Sequence, residues 1–485
     1  MTTNHEHSPF NANDAWQSAL STRFASSEMQ QAWSDARRAQ LWRGVWLAVA
    51  QAQQELGVNI PQAAIDGMRA NIKTTDFAAV AQHEKRLRHD VMAHVRAFGE
   101  SAPAAQGFIH LGMTSQDVVC NADALVLRDA LQIIANKFAR VIDRIATFAL
   151  KQRNLPCLGF THFQPAQPLT LGKRATLWGQ DFAIALQDIE LRLAGVKLKG
   201  LRGATGTQFS FLALLGDAAK VEQLEAKFCA FLKWSPDAVW SVCGQTSPRV
   251  FEATVLNALA VGACAIHKCC NDIRLLANLR EVEEPFEQDQ IGSSAMPYKR
   301  NPMRCERATG LARFVIGLAP VAMATASEQW LERTLDDSSA RRLALPEAFL
   351  ALDGALDVMI NVLGGLVVNE SVIATRLHNE LPFVATEDIL IAAVRAGVDR
   401  EQAHNAIRTH ALAAAERVKL GQSNDLAARL SADALFAKIN IASALDPVRL
   451  TGRSAQQTDR WIASVAAPIR AKFAATLAHQ PLLKV

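Results

Sequence analysis

Residues 291–302 read Ile-Gly-Ser-Ser-Ala-Met-Pro-Tyr-Lys-Arg-Asn-Pro, and Met-Arg-Cys-Glu-Arg follows to Arg307. Gly292, Pro297 and Pro302 stand five residues apart. Each proline removes a backbone donor and disfavours helix at the residue before it. Between these breakers lie two adjacent hydroxyls (Ser293, Ser294), an ammonium (Lys299), a guanidinium (Arg300) and an amide (Asn301). Hydroxyls and cations thus share one constrained loop. Loops that carry reactive groups between rigid elements are a usual home for chemistry. A plain polar connector has no use for so many Gly and Pro constraints.

Other stretches offer chemistry less distinctly. In Gly159-Phe-Thr-His-Phe-Gln-Pro-Ala-Gln-Pro168, two prolines three residues apart hold a loop open and present His162 at its edge. A lone loop histidine is more often structural than catalytic. Thr114 and Ser115 form a hydroxyl pair just before a long helical pattern. They can cap that helix, and they can equally bind a carboxylate at its N-terminus. Arg88, His89 and Asp90 are consecutive, so within a helix read from Asp76 to Phe98 they fan around it. A solvated charged face accounts for them as well as a site does. Gly200, Gly203 and Gly206 recur every third residue, but no Gly-Lys-Ser/Thr follows, so this is no phosphate-binding P-loop. It reads as a turn that lets backbone approach a ligand closely. Cys264, His267 and Cys270 share helical spacing, yet they lie in an apolar run where cysteine behaves as a small hydrophobe, and no metal site is expected there.

The elements that must position these groups follow from apolar periodicity. Helices are expected over about 37–56, 62–71, 76–98, 118–153, 169–199, 216–233, 247–280 and 303–332. Several far exceed the usual globular length, and their long uncharged faces suggest packing across subunits as well as within one. From about 369 the helices shorten, broken by Pro382, Gly397, Gly421, Pro447 and Gly452. No window alternates convincingly as a strand. The expectation is an all-α fold in three parts, 1–114, 115–368 and 369–485, with a central bundle of long helices.

Composition narrows the function. Half of the 485 residues are hydrophobic and a fifth are charged, a globular profile. A formal charge of +4, with cations dispersed among nearly as many acids, leaves no nucleic-acid footprint. The first nine residues lack a basic segment followed by an apolar one, so no secretory leader is read. The longest uncharged apolar runs, near 254–266 and 314–326, fall short of a membrane span, and Pro320 interrupts the second. The eight cysteines form no C-x-x-C pair; reduced thiols in a chain of this size point to the cytoplasm.

The order Ser-Ser-x-Met-Pro-x-Lys-x-Asn-Pro resembles the signature loop of the fumarase/aspartase superfamily, whose members eliminate fumarate from a succinyl-type group or run the reverse. That chemistry removes a weakly acidic proton beside a carboxylate, stabilises the resulting dianion, and protonates the leaving atom from the opposite face. The resemblance casts Ser293 as the base, beside Lys299, and His162 as the acid, with Glu306 orienting the imidazole as carboxylates commonly do.

The resemblance extends further. The stretches 86–94, 109–115, 159–167, 291–304 and 332–338 together are similar to the adenylosuccinate lyase family, in its longer, animal-type branch. The match runs from Arg23 to the 451–457 segment. It implies a homotetramer whose active sites each draw on three subunits, with neither metal nor organic cofactor. It implies cleavage of adenylosuccinate to AMP and fumarate, and of succinylaminoimidazole carboxamide ribotide to AICAR and fumarate. Carried over position by position, Arg23, Arg333, Ser338 and Arg342 hold the phosphate and ribose end. Thr114, Ser115, Gln245 and Lys299 grip the succinyl carboxylates. Arg88, His89, Asp90 and Arg307 complete the shell, with Phe24 beside Arg23. A phosphate and two carboxylates call for several fixed cations, which suits this set. The family commonly has Arg-Tyr where this chain has Arg23-Phe24, so that phenol is missing. The rivals are another lyase of the superfamily, such as argininosuccinate lyase or the carboxymuconate cycloisomerase branch, and a non-enzymatic crystallin-like protein.

Overall fold

The computed structural model describes residues 15–481 and Leu483. The stretch on which the absence of a leader was read lies outside them. After one π-turn (Leu20–Phe24), the chain forms α1 (Ser27–Ala32), α2 (Asp35–Glu55), α3 (Gln62–Ala70), α4 (Phe77–Leu87) and α5 (Asp90–Ser101). The helix expected over 76–98 is thus two helices. Arg88 takes a left-handed backbone (φ 52°) as the cap of α4, and His89 is the N-cap of α5. A side chain with a Cβ resists this conformation, so periodicity could not reveal the break.

The bundle begins with α6 (Ser115–Lys151), 37 residues long. A reciprocal cap starts it: Asp117 accepts the Thr114 N–H at 2.9 Å while the Thr114 side chain serves the first turn, satisfying donors a helix start leaves open. A hairpin of β1 (Pro156–Thr161) and β2 (Gln164–Thr170) leads into α7 (Leu171–Ala194). Then come α8 (Phe209–Leu215), α9 (Ala218–Phe231) and α10 (Arg249–Asn278), followed by the short strand β3 (Val282–Glu283). Beyond the signature loop lie α11 (Met303–Ser327) and α12 (Asp337–Gly364), and β4 (Val367–Val368) pairs with β3. Pro320 and Pro346 sit inside α11 and α12 without ending them.

Packing at the centre is close. The Phe138 and Phe182 rings lie 6.0 Å apart, and α10 approaches through Gly262, where a Cβ would come within 2.5 Å of the Phe138 ring. One apolar core joins Trp46 of α2 to the bundle and continues to Trp461 and Phe473. A separate core gathers Ala385, Ile389, Ile407 and Phe436. These last residues lie on the short helices and turns that follow α13 (Glu370–Val384), the longest of them 20 residues (Arg400–Lys419). The chain's last turns rejoin the bundle through Arg470 on Asp143 (2.7 Å) and Lys472 on Glu190 (2.5 Å).

The expectation of no strands is corrected at the hairpin. Pro165 and Pro168 and the lack of alternation hide β2, since a two-stranded edge tolerates prolines that a central strand would not. Pairing of Thr161 with Gln164 leaves His162 and Phe163 as the two turn residues, both with positive φ (52° and 58°). This is the geometry of a type I′ turn, which normally recruits Asn or Gly.

The helices around the two apolar runs outgrow those runs. Each of α10 and α11 contains an 18-residue window of mean hydropathy 1.5 and 1.4 respectively, long and apolar enough to cross a membrane by length and composition alone. Both belong to the bundle, where 61% of the α10 window but only 33% of the α11 window is buried.

Candidate active site

The starts of α2, α5, α6 and α12 converge on a cavity of about 850 Å³. Nine of the residues singled out in the sequence line it: Arg88, His89, Asp90, Thr114, Ser115, Gln245, Arg333, Ser338 and Arg342. The break between α4 and α5 explains the first three. They share one wall of a cleft instead of fanning around a helix. Ser115 Oγ lies 3.4 Å from His89 Nε2. The N-terminus of α6 lines the same space through Thr114, Ser115 and Gln116, and a helix start is a favourable setting for an anion.

Beneath the cavity runs a buried network of charges. Asp337 accepts from Arg333 Nη1 and from Arg249 Nε, each at 2.7 Å. Arg341 grips Glu252 with two hydrogen bonds (2.6 and 2.5 Å) and Asp123 with a third (2.8 Å). Burial alone would raise the Asp337 pKa, yet Arg249 and Arg333 hold it below the usual carboxylate range. Burial alone would lower the Arg341 pKa, but Glu252 and Asp123 hold it well above the ordinary arginine value. Arg342 donates to Asp90 at the cavity edge. Asp90 is also lowered: burial opposes this, and hydrogen bonds from Arg342 and the Val91 N–H outweigh it.

Asp123, Asp337 and Arg341 line this cavity too and had no assigned role in the sequence reading. The signal was present: Arg333, Asp337 and Arg341 stand four apart, the spacing of side-chain pairs on one helical face.

The glycine repeat at 200–206 does bring backbones together, but the partner is the chain itself. A Cβ at Gly206 would overlap the Cys243 carbonyl oxygen. Gln245 donates to the Ala204 carbonyl at 3.0 Å, and its N–H reaches the Glu332 carbonyl at 3.0 Å. The repeat therefore builds the wall that presents Gln245.

The signature loop forms a second group, away from the cavity lining. Gly292 sits so close to the Lys299 carbonyl oxygen that any Cβ would overlap it, and Asn301 ties the loop by donating to the Gly292 carbonyl at 2.8 Å. Glu284 caps α11 by accepting from the Arg304 and Cys305 N–H groups (2.9 and 3.0 Å). Ser293 Oγ, half-buried, accepts from the backbone N–H groups of Met296 (3.2 Å) and Ala295 (3.4 Å). Lys299 is exposed. Arg307 lies on the same side as Arg23: burial, and then the positive charge of Arg23, lower its pKa. Phe24 follows Arg23, with its carbonyl against Gly354 of α12.

His162 stands alone at the exposed hairpin turn. Glu306, expected to orient it, lies 3.9 Å from Arg274 and makes no ion pair with His162 within one chain. The two belong to different segments, the hairpin and the first turn of α11. One chain thus presents three separate groups: the cavity residues, the signature loop with Arg23 and Arg307, and His162. Among the described residues, no group of three or more His, Cys, Asp or Glu side chains is arranged to hold a metal.

The bundle and its loops define a lyase of the fumarase/aspartase type. Residues 14–317 match the family model described as Lyase, and residues 382–461 match that of the adenylosuccinate lyase C-terminus. The chain belongs to the adenylosuccinate lyase family. It is 48% identical over 456 residues to adenylosuccinate lyase of Saccharomyces cerevisiae, covering 93% of this chain and 94% of that protein. It is 46% identical to that of Schizosaccharomyces pombe, with coverage of 92% and 94%. Among solved structures, the 3-carboxy-cis,cis-muconate lactonizing enzyme of Pseudomonas putida superposes with a TM-score of 0.80 at 25% identity, covering 94% of this chain and 99% of that one.

Proposed function

We propose that this protein cleaves adenylosuccinate to AMP and fumarate, and succinylaminoimidazole carboxamide ribotide to AICAR and fumarate. The carrying observation is the environment of Ser293. Its oxygen accepts two backbone N–H groups, and donors aimed at an oxygen favour its anion. In a closed site with Lys299 nearby, that anion is a base for the proton beside the succinyl carboxylate. The electron pair released from that C–H bond forms the double bond of fumarate as the carbon–nitrogen bond breaks. His162 then protonates the departing nitrogen. Thr114, Ser115 and Gln245 suit the carboxylates, while Arg333, Ser338 and Arg342 suit the phosphate and ribose, since guanidinium forks match such oxyanions.

The active form we infer is a homotetramer with sites shared between subunits. Exposed apolar residues support self-association: Leu177, Ile184 and Leu191 of α7 are 44%, 53% and 60% exposed. They recur every seven residues, as do Phe314 and Val321 of α11, a spacing that packs helix against helix. Assembly also supplies a reason for the three separate groups on one chain. A cytoplasmic location fits the eight free cysteines, because reducing compartments keep thiols unpaired.

The test is to mix purified protein with adenylosuccinate and follow AMP and fumarate. Release of both supports the assignment. No release there, with fumarate formed from argininosuccinate, sinks it in favour of the sister lyase. Inertness toward both substrates leaves the crystallin-like alternative.

A further inference from the structure

The middle of the bundle contains an ion cluster that the site described above does not use. Lys137 of α6 is 2% exposed and lies 2.5 Å from Asp353 and 2.7 Å from Asp357, both on α12. Buried ion pairs are weak contributors to stability, because desolvation offsets most of the attraction. Apolar residues of similar volume would fill the space as well, so the cluster invites a different explanation.

Asp353 reaches out of the cluster to one other segment. Its Oδ2 accepts the Ser26 N–H at 2.7 Å, and its Oδ1 accepts the Ser26 hydroxyl at 3.1 Å. The next residue on α12, Gly354, meets the same segment: a Cβ there would come within 2.7 Å of the Phe24 carbonyl oxygen. Two successive residues of α12 therefore grip residues 24 and 26. The turn they hold, Leu20–Phe24, carries Arg23. Rigid placement of Arg23 needs an anchor.

We propose that Asp353, with Lys137 as its buried counter-ion, and Gly354 are positioning residues that place Arg23 for the anionic end of the substrate. This rests on the reading of Arg23 as a substrate contact under the proposed function. Lys137, 2.5 Å from Asp353, fixes that carboxylate where its two oxygens accept both Ser26 donors. Gly354 keeps the Phe24 carbonyl seated. A displacement of about 1 Å at a binding group is enough to cost binding strongly.

The experiment compares Arg23→Ala, Gly354→Ala, Asp353→Asn and the double variant Arg23→Ala/Gly354→Ala, with adenylosuccinate as substrate and AMP as competitive inhibitor. Gly354→Ala touches no ionisable group and keeps the proposal testable where Asp353→Asn does not fold. Each single variant is expected to raise KM and the AMP inhibition constant by about tenfold or more, with kcat within about twofold. The double variant should be no worse than Arg23→Ala alone, because Gly354 acts through Arg23; a merely structural role would add its own defect. A folded Gly354→Ala protein with wild-type KM, beside a raised KM in Arg23→Ala, overturns the positioning role. An unchanged KM in Arg23→Ala overturns the substrate assignment of Arg23 itself, and the positioning role falls with it.

Discussion

Asp337 and Arg249 are joined by a hydrogen bond of 2.7 Å, with the carboxylate 1% and the arginine 3% exposed. The bond fastens the first turn of α10 to the first turn of α12, and the other oxygen of Asp337 holds Arg333. One buried carboxylate thereby fixes both the scaffold and a cation at the cavity wall.

Asp337→Asn is expected to damage both. Removing one partner of a buried pair costs up to about 3–5 kcal/mol, and Arg249 would be left with one carboxylate, Glu252 (3.2 Å), which Arg341 already shares. Denaturant unfolding reads that loss. In the protein that remains folded, the freed Arg333 should raise KM for adenylosuccinate more than it lowers kcat. Wild-type stability would show that the Arg249 charge is satisfied without Asp337.

Ser293→Ala should leave the fold intact, since the hydroxyl is half-buried and its hydrogen bonds stay within its own loop. Turnover should fall by roughly 10²–10⁴-fold, the usual loss for a base. Single-turnover measurement with saturating substrate separates this from weaker binding. A variant that retains near wild-type turnover removes Ser293 from the base role.

Between pH 6.5 and 4, acid sensitivity should come in part from two histidines. His94, buried against Trp42, and His110, which accepts the Trp46 indole N–H at 3.0 Å, are both lowered by burial to about 4 from 6.5. Between those values the unfolded chain binds more protons, so stability falls as pH drops from 6.5 toward 4. Asp357 has the opposite sign. Burial raises it to about 6 from 3.8, so the folded state gains protons there and stability rises as pH falls through that window. His94→Gln should reduce the slope of unfolding free energy between pH 6.5 and 4 by up to about 1.4 kcal/mol per pH unit. An unaltered slope would mean that His94 does not bind its proton on unfolding.

The readable and unreadable parts of the molecule divide along physical lines. Most of the long helices were legible because an apolar stripe repeated over many turns has few other solutions, but α12, 28 residues long, was not among those expected. The signature loop was legible because Gly and Pro leave the backbone little choice, and Gly292 indeed seats the Lys299 carbonyl. Local sequence carried no sign that Arg88 would adopt a left-handed backbone, or that His162 and Phe163 would form a hairpin turn. Both depend on what the segments pack against. The Asp337 network was half visible, as four-residue spacing without a partner. Arg249 lies 84 residues earlier in the chain than Arg333, and only the fold brings the two to one carboxylate. Within one chain Ser293 and His162 lie on separate loops, a separation that local sequence does not encode.

Subunit mixing tests directly whether Ser293 and His162 meet at one site. Within one chain His162 lies on the hairpin turn and Ser293 on the signature loop, and neither lines the cavity that holds the arginines. His162→Gln and Ser293→Ala should each be inactive as pure assemblies, because every site contains one defect. In mixed assemblies some sites receive His162 from one parent and Ser293 from the other. If the two residues come from different subunits, each is intact with even odds at any site, so roughly a quarter of sites recover. Co-refolding equal amounts, with differently tagged parents and a pull-down to verify exchange, gives the measurement. Activity near that fraction of wild type supports shared sites. With exchange verified, mixtures no more active than either parent mean that one chain supplies both residues, and the proposed assembly is wrong.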